Sequence, residues 1–400
     1  MRSVAFISIR HEERSRRSLL RQWGSFLAVL VAAGGSIWSN ACAADPNVPK
    51  DAPPEARPRT PREGIDSALD WLARHQLPTG HWSFQDLHLQ CEGDSCTPLV
   101  GEDRRDAGSV RSDPAATAMA LLPFLMAGEL SGDAKPHQKA VLKGLRRLVR
   151  FQNAETGALY GKTGGGSRMY AHGLATLAVC EAYRRSQREE FKEPAQKAVE
   201  FIQKSQHPGQ GGWRYYVAGE TPTGGDTSVF GWQMRALVSA RAGELDVSPK
   251  SRELMTVYLR VASGGQQSGL FAYEPKGPFS PSMTGVGLLS LQLLEQQPAD
   301  ETVAEAVAYL RQRPPGRGAP DCYRDYYVTD AIRRSSPEHW PEWREAMRKA
   351  LLETQAREGC PRGSWSSLAP VRDRWSDLGG RLMVTAFSTM TLLECEEASP

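Results

Sequence analysis

The sequence predicts an all-α chain whose helices pair six times and close into two concentric rings, an α/α toroid with six inner and six outer helices. Three observations carry this expectation. A short motif, a helix ending in Gln followed by a glycine turn and an aromatic residue, recurs along most of the chain. The helices before the turn are amphipathic, whereas those after it are apolar nearly all round. Strand signals are scarce. Helices with one buried stripe, alternating with helices buried on every side, are satisfied by an inner ring inside an outer one. A helical solenoid is the competing arrangement; six pairs and the small residues of the inner helices favour closure.

In chain order, residues 1–43 read as an export signal. "RHEERSRRSLLRQWG" is the charged part, "SFLAVLVAAGGSIW" the apolar part, and "ACA" ending at Ala43 suits a signal peptidase. "SRRSLLR" resembles the twin-arginine motif, with Arg16 and Arg17 as the pair. The expected location is therefore periplasmic or otherwise extracytoplasmic. No later run of ~20 apolar residues exists, so no membrane span is expected after cleavage. Residues 44–63 hold six prolines without apolar periodicity and read as a linker. Of the net charge of +3 over 400 residues, the first 43 contribute six Arg against two Glu, leaving about −1. No basic patch argues for nucleic acid.

The repeats fill 64–396. "ALDWLARHQLPTGHW" supplies Gln76, Gly80 and Trp82; "GLRRLVRFQNAETGALY" supplies Gln152, Gly157 and Tyr160. "AVEFIQKSQHPGQGGW" supplies Gln206, Gly212 and Trp213; "YLRVASGGQQSGLF" supplies Gln266, Gly269 and Phe271. "AVAYLRQRPPGRG" keeps Gln312 and Gly316 without an aromatic, and "KALLETQAREGCPRGSW" restores Gln355, Gly363 and Trp365. The expected inner helices are "ATAMALLPFLMAG", "HGLATLAVCEAY", "SVFGWQMRALVSA", "TGVGLLSLQLL", "YYVTDAI" and "LMVTAFSTMTLL".

These repeats resemble the QW motif of the prenyltransferase and squalene-oxidase repeat family, found in squalene–hopene cyclases and related toroids. Ala68, Trp71, Leu72, Gln76, Gly80 and Trp82 match that pattern fully, and Ala198, Phe201, Ile202, Gln206 and Trp213 match with a longer turn. The resemblance implies the fold and, less specifically, an apolar or isoprenoid ligand in the central cavity. The family acid D-x-D-D-T-A is broken here: "DPAATA" from Asp113 to Ala118 puts Ala115 and Ala116 in place of two acids. Class II cyclisation is therefore not expected. A prenyltransferase zinc site is not expected either, since Asp321 and Cys322 have no matching His in the last inner helix.

In a toroid the inner helices all enter from one end, so their first residues converge on one mouth near six positive dipole ends. Asp226 stands there, as an acid or as a helix cap. "SRMYAHG" adds Arg168, Tyr170 and His172, the last either an acid–base group or a packing residue. Asp226, His172 and Tyr170 are the catalytic candidates. Arg168, Asp113, Tyr323, Tyr326, Tyr327 and Trp213 are the candidate ligand contacts; Trp213 doubles as the tie between an outer and an inner helix. Asp325 and Arg381 also belong to the expected mouth. An extracytoplasmic glycan hydrolase or lyase is the alternative function, and a protein-binding scaffold a third. No cofactor is expected. Cys91 and Cys96 are close enough for a small surface disulfide, Cys180 and Cys395 read as buried thiols, and no C-x-x-C pair points to structural zinc.

Overall fold

The computed structural model of the chain describes residues 59–91, 96, 99–100, 104–132, 135–217 and 224–397. The expected export signal and the proline-rich stretch up to residue 58 lie outside the described residues. Twelve α-helices run through them. The outer six are α1 (Pro61–Arg74), α3 (Gln138–Val149), α5 (Glu189–Lys204), α7 (Pro249–Ala262), α9 (Asp300–Arg311) and α11 (Trp340–Thr354). The inner six are α2 (Asp113–Met126), α4 (Arg168–Ser186), α6 (Thr227–Ala242), α8 (Pro281–Leu293), α10 (Cys322–Ser335) and α12 (Ser376–Glu396). Each inner helix packs on its two neighbours, and α12 returns to α2. On the outside, α1 packs against α11 and α12. The ring is closed, which excludes the solenoid.

The burial pattern follows the sequence pattern. The outer helix α3 buries one stripe, Val141, Gly144, Leu145 and Leu148. The inner helix α6 buries twelve of its sixteen residues. Small residues let inner helices approach closely: a Cβ on Gly285 of α8 would lie 2.8 Å from Val328 Cγ2 of α10. The first helix starts inside the expected linker. Thr60 Oγ1 accepts the Glu63 N–H at 3.3 Å, and Glu63 Oε2 accepts the Thr60 N–H at 2.9 Å. Pro61 follows at the position where a missing N–H costs nothing. This capping signal is legible in "TPRE", and it moves the start of the ring to residue 61.

The recurring Gln has one physical job. Gln76 Nε2 donates to Gly80 O of its own turn and to Ala140 O of the next outer helix, both at 2.9 Å. Gln152 does the same to Gly157 O and Pro194 O, and Gln206 to Gly211 O and Ser251 O. Gln355 reaches Gly363 O at 2.9 Å and Gly64 O at 2.8 Å, so the last repeat is stitched to the first. The turn aromatic adds a second stitch: the indole N–H groups of Trp82, Trp213 and Trp365 donate to Leu72 O, Ile202 O and Leu351 O. The turn glycine of the third repeat is Gly211 rather than Gly212. It has φ +77°, and a Cβ there would fall 1.8 Å from Leu254 O of the next outer helix.

The fourth and fifth turns depart from this plan. Gln266 and Gln312 are exposed. In the fourth, Glu305 of α9 instead accepts the N–H groups of Gln266, Gln267 and Gly269 at 2.7–2.9 Å. The same side of the ring carries a buried ion cluster. Asp330 of α10 pairs with Arg235 of α6, Arg333 and Arg334, and Arg333 pairs with Glu394 of α12. The cluster joins three inner helices, and breaking such a pair costs far more than building it gains.

Candidate functional site

Two polar groups meet at the starts of the inner helices. The first is built around Asp226, the N-cap of α6. Its Oδ1 accepts from the N–H groups of Ser228 (3.1 Å) and Val229 (2.9 Å) and from the Ser228 hydroxyl (2.6 Å). The Ser228 hydroxyl in turn bonds the Tyr170 hydroxyl of α4 at 2.6 Å. Asp226 Oδ2 accepts from Arg214 at 3.2 Å, and Arg214 also pairs with Glu274. The Arg214 guanidinium lies over the rings of Tyr215 and Tyr273, whose hydroxyls bond each other. Burial holds the Asp226 carboxyl above the usual carboxylate range, although its donors and Arg214 pull it down. Burial and the Asp226 charge push the Tyr170 phenol well up.

The second group gathers three carboxylates at the start of α10. Asp321 caps the helix, accepting from Arg324 N–H (2.9 Å) and the Trp375 indole (2.8 Å). Asp373 accepts the N–H groups of Cys322 (3.0 Å) and Trp375 (2.8 Å). Asp325 follows Asp321 by one helical turn and takes Arg324 on Oδ1. Burial raises Asp325 to about 6, and the Asp321 and Asp373 charges add to that shift against the pull of Arg324. Asp325, Asp373 and Cys322 line a cavity of ≈ 230 Å³ between α10, α11, α12 and the loop at 316–320. Tyr323 packs on Trp375, whose indole donates to Asp321, and burial pushes its phenol well up.

Asp226 and Tyr170 are thus brought together, through Ser228. His172 is not. It is wholly buried, its Nδ1 accepts the Leu159 N–H at 3.0 Å, and its Nε2 faces Ala198 O at 3.2 Å. Burial drives its pKa down to about 3. His172 takes the place that Thr117, Thr284 and Thr385 hold against the Trp82, Phe271 and Trp365 N–H groups. Both ring nitrogens are engaged away from Asp226, the arrangement of the packing alternative rather than the acid–base one. The same comparison makes Leu159, not Tyr160, the turn residue equivalent to Trp82.

Trp213 is buried in its repeat role, with its indole on Ile202 O, and its carbonyl accepts the Asp226 N–H at 2.9 Å, so it touches the mouth through its backbone. Tyr326 is buried against Tyr327 and Phe387 beneath Arg235, deep in the ring. Tyr323 and Tyr327 pack on each other, and Trp232, Trp375 and Phe387 complete an aromatic column. Arg168 lies over Tyr160. Asp113 pairs with His81 at 3.7 Å, and Ser112, not Asp113, caps α2. Arg381 is buried on Asp106. Arg214, Tyr215, Tyr273 and Asp373 were not anticipated. Tyr215 and Tyr273 stand two residues after Trp213 and Phe271, a shared repeat position that would have found them. Cys180 and Cys395 are buried thiols, as expected. Cys91 and Cys96 are free thiols, not a disulfide.

No known sequence family and no curated protein matches the chain. Solved structures match in fold. The type II terpene cyclase MstE from Scytonema, with bound geranylgeranyl dihydroxybenzoate, aligns with TM-score 0.54 and 15% identity over 84% of this chain and 97% of that one. The unsaturated glucuronyl hydrolase of Bacillus sp. GL1 aligns with TM-score 0.57 and 12% identity over 84% and 97%. An inactive variant of the α-1,6-mannanase GH76A of Salegentibacter sp., in complex with α-1,6-mannotriose, aligns with TM-score 0.52 and 14% identity over 84% and 99%. The chain is similar to all three as an α/α toroid, and the likeness is one of fold.

Proposed function

We propose that the protein is an exported hydrolytic enzyme acting on a polar, glycan-class substrate at the inner-helix mouth. The observation that carries this reading is the Asp321–Asp325–Asp373 group. One carboxyl, Asp325, keeps its proton to about pH 6 beside two that are held by backbone and indole donors. A carboxylic acid poised near neutrality is what protonation of a leaving oxygen requires, and a second carboxylate is what activates water. The cavity beside them is smaller than the ~300–1,000 Å³ of sites that enclose drug-sized ligands, which suits one sugar unit entering from outside. Similar toroids that bind glycans support the class.

The test is release of reducing ends from a panel of α-mannans, α-glucans and unsaturated uronides by the purified protein. Asp325→Asn is expected to abolish the release without lowering the melting temperature. Release that survives Asp325→Asn sinks the assignment of the proton donor, and no release from any glycan sinks the class.

An isoprenoid binder is the second reading. The aromatic column of Trp232, Tyr323, Tyr327 and Phe387 favours it, as does the similar terpene cyclase. Solvent extraction of the purified protein with mass spectrometry separates the two. A stoichiometric polyprenyl lipid selects this reading, and a clean extract selects the first. Under either, no cyclised squalene product is expected, because Ala115 and Ala116 donate no proton. Export rests on the pattern of residues 1–43, and a mature N-terminus near Ala44 or Asp45 by intact mass is its expected signature.

A further inference from the structure

Three cysteines and a histidine converge where the ring closes. His75 Nε2 and the Sγ atoms of Cys91, Cys96 and Cys360 all lie within 4.8 Å of one another. His75 caps the end of α1, Cys91 and Cys96 come from the segment after the first turn, and Cys360 comes from the turn after α11. We propose that these four side chains form a closed, tetrahedral zinc site that fastens the first repeat to the last.

The distances fit that geometry. Bond lengths of ~2.3 Å to sulfur and ~2.05 Å to nitrogen give tetrahedron edges of about 3.8 Å between sulfurs and about 3.6 Å from sulfur to nitrogen. Here His75 Nε2 stands 3.2 Å from Cys96 Sγ, 3.6 Å from Cys360 Sγ and 3.8 Å from Cys91 Sγ, and the Cys96 and Cys360 sulfurs are 3.2 Å apart. To admit the ion, the Cys96–Cys360 edge opens by about 0.6 Å and the Cys96–His75 edge by about 0.4 Å, while the other two edges to His75 lie within about 0.2 Å of the ideal.

The surroundings are prepared for a metal as well. His75 Nδ1 bonds Trp71 O at 2.8 Å, which puts the ring proton on Nδ1 and the lone pair of Nε2 towards the sulfurs. The ring stacks on Trp71 at 4.3 Å, so its orientation is fixed. The Trp71 indole N–H points at Cys96 Sγ (3.4 Å), and the Cys96 N–H at Cys91 Sγ (3.2 Å). Such N–H···S bonds suit thiolates, which are stronger acceptors than thiols. Binding replaces three thiol protons by one Zn²⁺, with no change of oxidation state. Soft thiolates in a four-ligand set select zinc over oxygen-loving cations, and four protein ligands leave no open position for a substrate. The role is therefore structural.

The experiment is elemental analysis of the full-length protein, purified without a metal-chelating tag. About one zinc per chain is expected, released by a thiol-specific mercurial in step with loss of three reactive thiols. Cobalt exchange should produce the charge-transfer band and the intense visible bands of a tetrahedral thiolate site. Cys96→Ser and Cys360→Ser should each lower bound zinc at least tenfold, whereas Cys180→Ser, which removes a buried thiol elsewhere, should retain it. Absence of stoichiometric metal in the wild-type protein overturns the proposal. So does a disulfide between Cys96 and Cys360 in a peptide map, or zinc that persists in both serine variants. Because the wild-type measurement decides the matter alone, failure of a variant to fold does not rescue the idea.

Discussion

The arc of the ring formed by the first three turns and the sixth differs from the arc formed by the fourth and fifth. In the first arc a buried or half-buried Gln bridges each turn to the next outer helix, and a Trp pins three of the four turns to their own helices. In the second arc Gln266 and Gln312 are solvent-exposed, and the fifth turn has no aromatic at all. Asp321, Asp325 and Asp330 stand at or on α10, which follows the fifth turn, and there Asp373, Arg235 and Glu394 reach them from the neighbouring arc to complete the carboxylate group, its cavity and the buried ion cluster. A turn freed from stitching its neighbours has room for polar side chains and a cavity. The difference teaches where to look for chemistry in such a fold: at the turns where the motif decays.

The strongest way to break this comparison is at the turn glycines. Gly211→Ala would force a Cβ onto Leu254 O at a left-handed backbone position, and we expect it to cost more than ~3 kcal/mol. Gly318→Ala in the fifth turn has a similar φ but open space around it, so about 1 kcal/mol is expected. Chemical denaturation of the two variants measures this directly; equal losses would mean the two arcs are held alike.

A smaller effect comes from the Gln residues. Gln206→Ala strands Gly211 O and Ser251 O without their donor, at a cost of ~2–3 kcal/mol. Gln312→Ala, in the exposed counterpart, should stay within ~0.5 kcal/mol of the parent. A large loss from Gln312→Ala would show that the fifth turn is bridged in a way the hydrogen bonds do not reveal.

The carboxylate group sharpens the comparison through pH. Asp325 holds its proton to about 6 in the folded chain, against ~3.9 when unfolded. Between these values the folded state binds more protons than the unfolded one, so stability falls as pH rises from ~4 through about 6. The fall is on the order of 3 kcal/mol and is complete above that window. Asp325→Asn should flatten this part of the melting-temperature profile and raise stability at pH 7. A profile unchanged by the substitution would remove Asp325 as the titrating group.

The smallest expected effect is at Asp226. Asn caps a helix about as well as Asp, and Arg214 keeps Glu274 as a partner, so Asp226→Asn should cost below ~1 kcal/mol. Lost turnover at intact stability would show that this carboxylate acts on substrate as well as on its helix.

The repeats, the alternation of helix types and the ring itself were legible because they depend on residues close in sequence. What Gln does was not, since its second acceptor lies in the following repeat. His172 stayed two-sided in the sequence because a His at a helix start resembles a base, whereas the Leu159 N–H that occupies it belongs to the turn before. Asp226 as a cap could be read from the glycine turn in front of it. Asp373 could not, since only the closing of the ring brings its loop to α10. The same holds for His75 and Cys360, 285 positions apart yet 3.6 Å from atom to atom.

The stitch from Gln355 to Gly64 has a topological consequence. A linear stack of repeats has two raw ends that need capping, but here the last repeat covers the first as any repeat covers its neighbour. Arg59 bonds Gln355 and Glu396 pairs with Arg348, positions seven residues or ~10 Å apart along α11. A short linker can therefore join residue 397 to residue 59, and the chain can be opened instead at the exposed glycines 164–166. Such a circularly permuted protein should fold to the same double ring, because the order of the repeats along the gene is independent of their order around the circle.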